Sequence, residues 1–199
     1  YLRSQGRETI DLLILTHLHA DHANGVEYLL DTMPGRYLLL PEDADDAGFS
    51  DGIITAAQEN GTQVKYITED THAELGAVDM TVYAPLGASD ANERGLMVLG
   101  DYGDFEFLVT GDADMGTERI LTRLYALPDI ELLIVGHHGS KYSTSEELLE
   151  ETTPDIAFIS VGTNNYGHPT QEALDRLSEH GVEVHRTDTE GSVSITVGG

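Results

Sequence analysis

The 199-residue chain contains no cysteine, only two lysines (Lys65 and Lys141) and no long apolar run. Without cysteine there is neither a disulfide framework nor a thiolate metal site, and the redox state of the compartment leaves no mark on the sequence. No run approaches the roughly 20 apolar residues of a membrane-spanning helix. No basic segment followed by an apolar one opens the chain, so no secretory leader is read there.

Basic residues are scarce throughout: Lys and Arg total 10 against 36 Asp and Glu, for a formal net charge of −26. That balance argues against a broad basic surface for nucleic acid in dilute buffer. The acids are spread through every segment instead of forming a tail, so disorder is a poor explanation. A folded domain this acidic repels itself at low ionic strength, and at 1 M salt the screening length of about 3 Å removes most of that repulsion. Abundant Asp and Glu, few Lys and much Gly and Ala resemble the composition of proteins from extreme halophiles.

With 40% hydrophobic residues the chain has material for one sizeable core, so a single domain over residues 1–199 is expected. Tyr1 to Arg7 reads as the end of a helix closed near Gly6, which suggests amino-terminal truncation. Apolar patterning predicts strands over residues 12–16, 37–40, 64–67, 80–83, 95–102, 105–110, 132–135, 156–160, 182–185 and 193–197. Helices are predicted over residues 26–31, 53–60 (capped by Ser50), 115–125, 145–151 and 170–180. The alternation in the second half indicates an α/β protein.

Four of these strands end in polar clusters. The first delivers Thr16-His17-Leu18-His19-Ala20-Asp21-His22, with three histidines and an aspartate in six residues. Imidazole and carboxylate suit Zn, Mn or Fe. Extended backbone aims His17 and His19 the same way, and the turn sends Asp21 and His22 toward a second position. The other clusters are Gly111-Asp112-Ala113-Asp114, Gly136-His137-His138-Gly139-Ser140-Lys141, and Val161 to Pro169, which contains Asn164, Asn165, Tyr166 and His168. Ligands of an α/β sheet gather beyond the carboxyl ends of its strands, so these clusters are expected to converge. Six of the nine histidines lie in them, a concentration that favours metal over chance.

His17-Leu18-His19-Ala20-Asp21-His22 with Asn24-Gly25, then Thr110-Gly111-Asp112, then a strand ending in His-Gly, resembles the metallo-β-lactamase superfamily. Gly136-His137-His138-Gly139-Ser140-Lys141-Tyr142-Ser143, Tyr166-Gly167-His168-Pro169-Thr170 and His185-Arg186-Thr187-Asp188 resemble the hydrolase domain of ComEC-type competence proteins. The likeness covers nearly the whole chain. It implies a four-layer αββα sandwich, here lacking its first strands, with a site for two divalent metal ions (Zn or Mn) at one edge of the sheets. By the same resemblance His17 and His19 hold the first metal, Asp21 and His22 the second, and Asp112 bridges them. The fifth motif is one of His137 and His138, and the family pattern favours His138 as ligand, with His137 facing substrate or solvent. The upstream Asp-x-Gly motif is absent. The third-motif histidine has no candidate except His72, which is read as an exposed loop residue. His168 completes the first metal site, contacts substrate or only shapes its turn.

The implied activity is hydrolysis of a phosphodiester, with DNA as the expected substrate and a metal-activated water as nucleophile. Asp21 and Asp112 would orient that water. Lys141, Ser140 and the amides of Gly139 and Ser140 would receive a phosphate. Other hydrolases of the same fold (phosphorylcholine esterase, lactonase, thioester hydrolase) and a non-catalytic binding module are the alternatives. The resemblance also implies association with a membrane DNA-uptake channel and an exterior or membrane-associated location over a cytoplasmic one. If the composition reflects adaptation to salt, the unfolding midpoint measured by circular dichroism will rise steadily as KCl goes from dilute buffer to molar concentration. A midpoint independent of KCl would contradict it.

Overall fold

The computed structural model describes residues 2–46 and 48–198. Three parallel strands form a small sheet in the order β1 (Ile10–Ile14), β2 (Gly35–Pro41), β3 (Gln63–Ile67). Between them lie helices α1 (Ala20–Ala23), α2 (Val26–Thr32) and α3 (Ser50–Glu59). A second sheet of seven strands contains β4 (Thr71–Leu75), β5 (Val78–Tyr83), β6 (Met97–Asp101), β7 (Glu106–Val109), β8 (Leu132–Ile134), β9 (Ile156–Ile159) and β10 (Glu183–Arg186). Its order is β10-β9-β8-β7-β6-β5-β4; β4 to β7 pair antiparallel and β7 to β10 parallel. The parallel half is connected through α4 (Met115–Leu124), α5 (Glu146–Thr152) and α6 (Gln171–Glu179), and α7 (Thr187–Glu190) follows β10.

Side-chain alternation divides these elements into four layers. On β2, Leu38 and Leu40 join Val26, Leu30, Ile53 and Ala57 of α2 and α3, whereas Leu39 turns to the opposite face. There it meets Val82 and Val98 of the large sheet, along with Leu12 and Ile14 of β1. On β7, Phe107 and Val109 enter this inter-sheet core, and Leu108 faces the other way, toward Leu121, Leu148 and Leu177 of α4, α5 and α6. A period of two along each strand thus yields three apolar interfaces, and three interfaces make an αββα sandwich. Among the described residues no helix is long and apolar enough to cross a membrane.

Three local expectations are corrected. Residues 193–197 form no strand; the segment pairs with no neighbour in either sheet, and Ile195 is left exposed at the rim of a groove it shares with Val193, Ile156 and Phe158. His72 lies on β4 rather than in a loop, exposed, with Nδ1 3.2 Å from the Thr81 hydroxyl of β5. As an edge strand paired only to β5, β4 has just Ala73 and Leu75 to signal it. Ser50 does not cap α3: Asp45 accepts the amides of Gly48, Phe49 and Ser50 at 2.7 to 3.0 Å and does that work from five residues upstream. A short helix, α1, begins inside the histidine cluster at Ala20 and swings Asp21 and His22 off the strand direction.

Candidate metal centre

All four strand-end clusters meet at the carboxyl edge of the sandwich. Gly111 has φ +58, and a Cβ there would sit 3.0 Å from the Thr16 Cβ, so the Asp112 loop lies directly against the histidine loop. The Thr16 carbonyl accepts the Leu96 amide at 2.8 Å, and the Gly111 carbonyl accepts the His137 amide at 3.0 Å. His137 and His138 both occupy left-handed backbone (φ 49 and 55), a conformation that costs a non-glycine residue about 1–2 kcal/mol. At Gly139 (φ +82) a Cβ would stand 2.5 Å from that of Pro169. The His138 turn and the 160–169 loop could not close together with any other residue there.

The loop after His138 is gripped from two sides. The buried Glu118 carboxylate of α4 accepts the amides of Thr144 and Ser145 at 2.7 and 2.6 Å. Arg176 of α6 donates to the carbonyls of Thr144, Ser143 and Lys141. Neither Arg176 nor Glu118 is among the residues that the sequence singles out. The available signal was the position of Glu118 one turn before Leu121, on the buried stripe of α4. Burial pushes the Glu118 carboxyl up to about 7, against the pull of the two amides and Arg176. Asp114 caps α4 by accepting the Thr117 amide at 2.8 Å.

At the centre lies Asp112, 5% exposed. Its Oδ1 is 3.2 Å from His22 Nε2, and its Oδ2 is 3.7 Å from His17 Nε2 and 3.8 Å from His137 Nε2. Burial opposes its ionisation, but His22, His137 and His17 outweigh burial and hold the carboxyl at about 2. His17, fully buried and beside His22, is lowered to about 4 and is therefore neutral near pH 7. Burial acts the same way on His22, yet Asp112 and Asp21 prevail and raise it. The His17 and His19 rings are 4.8 Å apart, and those of His17 and His22 are 4.1 Å apart.

Asp21, His22, Asp112 and His138 bring one donor atom each within 4.8 Å of one another. Two features indicate that this group suits a cation. The Nε2 atoms of His17 and His22 are buried without a hydrogen-bond partner, because the 3.2 Å approach of His22 to Asp112 is poorly aligned. His138 Nδ1 lies 2.7 Å from the Ser160 carbonyl, which can only accept, so Nδ1 carries the proton. In the neutral ring Nε2 then offers a lone pair 3.2 Å from Asp21 Oδ2, and two acceptors face each other. A shared cation relieves that contact, and a carbonyl behind a ligating imidazole is the usual way its ring is oriented.

His19 lies outside the four-donor group, beside His17. His168 sits edge-on to His137, ring centres 5.6 Å apart; its Nδ1 is buried without a partner and burial lowers its pKa. The expected phosphate nest is not available at Ser140, which is buried with its amide donated to the His137 carbonyl at 3.0 Å. Lys141 is exposed and holds its ammonium over the Tyr142 ring, 5.1 Å from the centroid.

A sequence model described as the metallo-beta-lactamase superfamily matches residues 1–163. The chain belongs to that superfamily. Among curated relatives of this superfamily member, ComE operon protein 3 of Bacillus subtilis is 31% identical over 97% of the chain and 25% of its own length. Recombination protein 2 of Haemophilus influenzae is 31% identical over 98% of the chain and 23% of its own length. The chain thus spans about a quarter of the relatives it matches. Its fold is also that of CmlA, a diiron beta-hydroxylase from Streptomyces venezuelae (TM-score 0.63, 15% identity, covering 91% of this chain and 44% of that one). It is shared by Igni18, a metallo hydrolase from Ignicoccus hospitalis (TM-score 0.60, 14% identity, 94% and 80%).

Glu118 generates a stability prediction. Glu118→Gln turns an amide NH2 toward one of two backbone N–H groups and should cost about 1–3 kcal/mol in urea unfolding. The folded wild type binds the Glu118 proton more tightly than the unfolded chain, whose ordinary value is 4.5, so stability falls as pH rises from there toward about 7. The Gln variant should lose that slope; an unchanged midpoint and slope would contradict the role.

Proposed function

We propose that this chain is a metal-dependent phosphodiesterase acting on DNA, with two divalent cations, Zn or Mn, as cofactors. The observation that carries the reading is the gathering of Asp21, His22, Asp112 and His138 at the mouth of a cavity of about 460 Å³, which Asp21 and His138 themselves border. His22, Asp21 and His138 would hold one cation, and His17 and His19 the other. Asp112, presenting Oδ1 to His22 and Oδ2 to His17, is placed to serve both. Bound divalent cations supply the means to deprotonate water near neutral pH and to neutralise charge on a transferring phosphoryl group.

The residues themselves supply the rest. Asp112 is ionised throughout the physiological range and accepts without first losing a proton. His17 offers a neutral imidazole for the same reason. The Ser160 carbonyl fixes the His138 tautomer, and Asp21, the most exposed of the four donors at 60%, is within reach of a water entering from the cavity. His137 stands beside Asp112 on its Oδ2 side, where a leaving oxygen can receive a proton, and His168 lies against the His137 ring. Lys141 is not among the residues that line the cavity. The competence-protein relatives support DNA as substrate, and an uptake channel as the partner of the longer protein.

One feature favours a second reading. Away from Asp21 and His138, the cavity wall is uncharged at Val161, Thr163 and Thr187, which also suits a carboxylic ester, lactone, thioester or phosphorylcholine substrate. Activity with Mn or Zn in high salt should appear on bis-p-nitrophenyl phosphate and single-stranded DNA and be at least tenfold weaker on p-nitrophenyl acetate. Asp112→Ala should lower it by at least about 10²-fold. Undiminished turnover in that variant would refute the central role of Asp112. Turnover of the carboxylic ester alone would establish the second reading.

A further inference from the structure

Tyr166 is 84% exposed, more than any other large apolar or aromatic side chain described, and it borders the cavity next to Asp21 and His138. The loop that presents it is tied together by one side chain. Asn164 Oδ1 accepts the amides of Tyr166, Gly167 and His168 at 2.9 to 3.1 Å, and its Nδ2 donates to the carbonyls of Gly162 and His168. These bonds use the whole Asn164 side chain, so Asn164 shapes the loop and Tyr166 is what the loop displays. The Tyr166 ring lies nearly parallel to that of His168 (17°, centroids 6.1 Å apart), and His168 in turn meets His137. A row of three rings therefore runs from solvent to Asp112, one face of it open. An aromatic face left uncovered at the rim of a hydrolytic site, fixed by five hydrogen bonds, has the form of a stacking platform.

The charge of the chain decides what such a platform is worth. With 10 basic residues against 36 acidic ones, and no Lys or Arg among the residues lining the cavity, binding a polyanion through released counterions is largely closed to this surface. Stacking of a nucleobase needs no charge and survives high salt. It also requires that the base be free of a duplex interior, where stacked neighbours cover both of its faces. We propose that Tyr166 is the platform on which an unpaired base of the substrate stacks, so that the site selects single-stranded nucleic acid over duplex and over phosphodiesters that carry no base. This rests on the phosphodiesterase reading above and specifies its substrate.

The test compares thymidine 5′-(p-nitrophenyl phosphate) with methyl p-nitrophenyl phosphate, which shares the leaving group but has no base. In Tyr166→Ala the ratio of kcat/KM for the first over the second should fall about tenfold, or about 1.4 kcal/mol, within the range for one base on an aromatic ring. Tyr166→Phe should keep the wild-type ratio. A parallel binding arm uses fluorescein-labelled oligothymidylate in molar KCl with a chelator, read by anisotropy. Wild type and Tyr166→Phe should bind alike, Tyr166→Ala about tenfold more weakly, and a labelled hairpin duplex more weakly than the single strand. An unchanged ratio and unchanged oligonucleotide affinity in Tyr166→Ala, or equal losses in the Phe and Ala variants, would overturn the proposal. If neither ester is hydrolysed by wild type while the binding differences persist, the phosphodiesterase reading fails and the stacking role stands. Asn164 bonds the backbone amide of Tyr166 and not its ring, so the Ala variant keeps the loop's hydrogen bonds and should fold as the parent does.

Discussion

The site depends on one buried carboxylate with imidazoles on both of its oxygens. Asp112 is kept ionised in a place where burial alone would protonate it, because His22 faces Oδ1 while His17 and His137 face Oδ2. Those rings reach it from different parts of the chain: His17 and His22 follow β1 of the small sheet, Asp112 follows β7, and His137 follows β8 of the large one. The inter-sheet core built on Leu39, Val82 and Val98 sets the separation of these loops. Packing and electrostatics are thereby joined, since a shift of one sheet against the other would break the carboxylate away from His17 and His22, two of its three partners.

Around that centre the backbone is held by groups that do not take part in the chemistry. Glu118 and Arg176 clasp the loop after His138 through amides on one side and carbonyls on the other. Gly111 and Gly139 permit two close loop contacts that a side chain would block. The left-handed backbone at His137 and His138 persists because these contacts over-determine it. What looks like a flexible His-Gly-rich loop in the sequence is a constrained turn.

Much of this arrangement was legible in the residues. Short apolar strands terminating in His, Asp and Gly foretold where polar groups would gather, since a strand's carboxyl end is fixed by its own boundaries. The pairing of Leu38 and Leu40 against Leu39 follows from alternation alone. Other features depend on tertiary context. The edge strand β4 has too few apolar residues to stand out, and the pattern of residues 193–197 is strand-like yet joins neither sheet. The roles of Arg176 and Glu118 arise from what lies across from them, as does the turning of Ser140 inward and Lys141 outward. A spacing pattern records which donors exist; it does not record which backbone groups they will meet.

The central claim is that Asp21, His22, Asp112 and His138 form a cation site through the opposition of two acceptors at His138 and Asp21. Anomalous diffraction from crystals soaked in manganese or zinc addresses it directly. The account predicts a strong peak with His22 and His138 nitrogens and Asp21 and Asp112 oxygens about 2.0–2.2 Å away. Ordered crystals in which the His138 ring instead donates a hydrogen bond from Nε2 to Asp21, with no anomalous density among the four side chains at saturating metal, would contradict it.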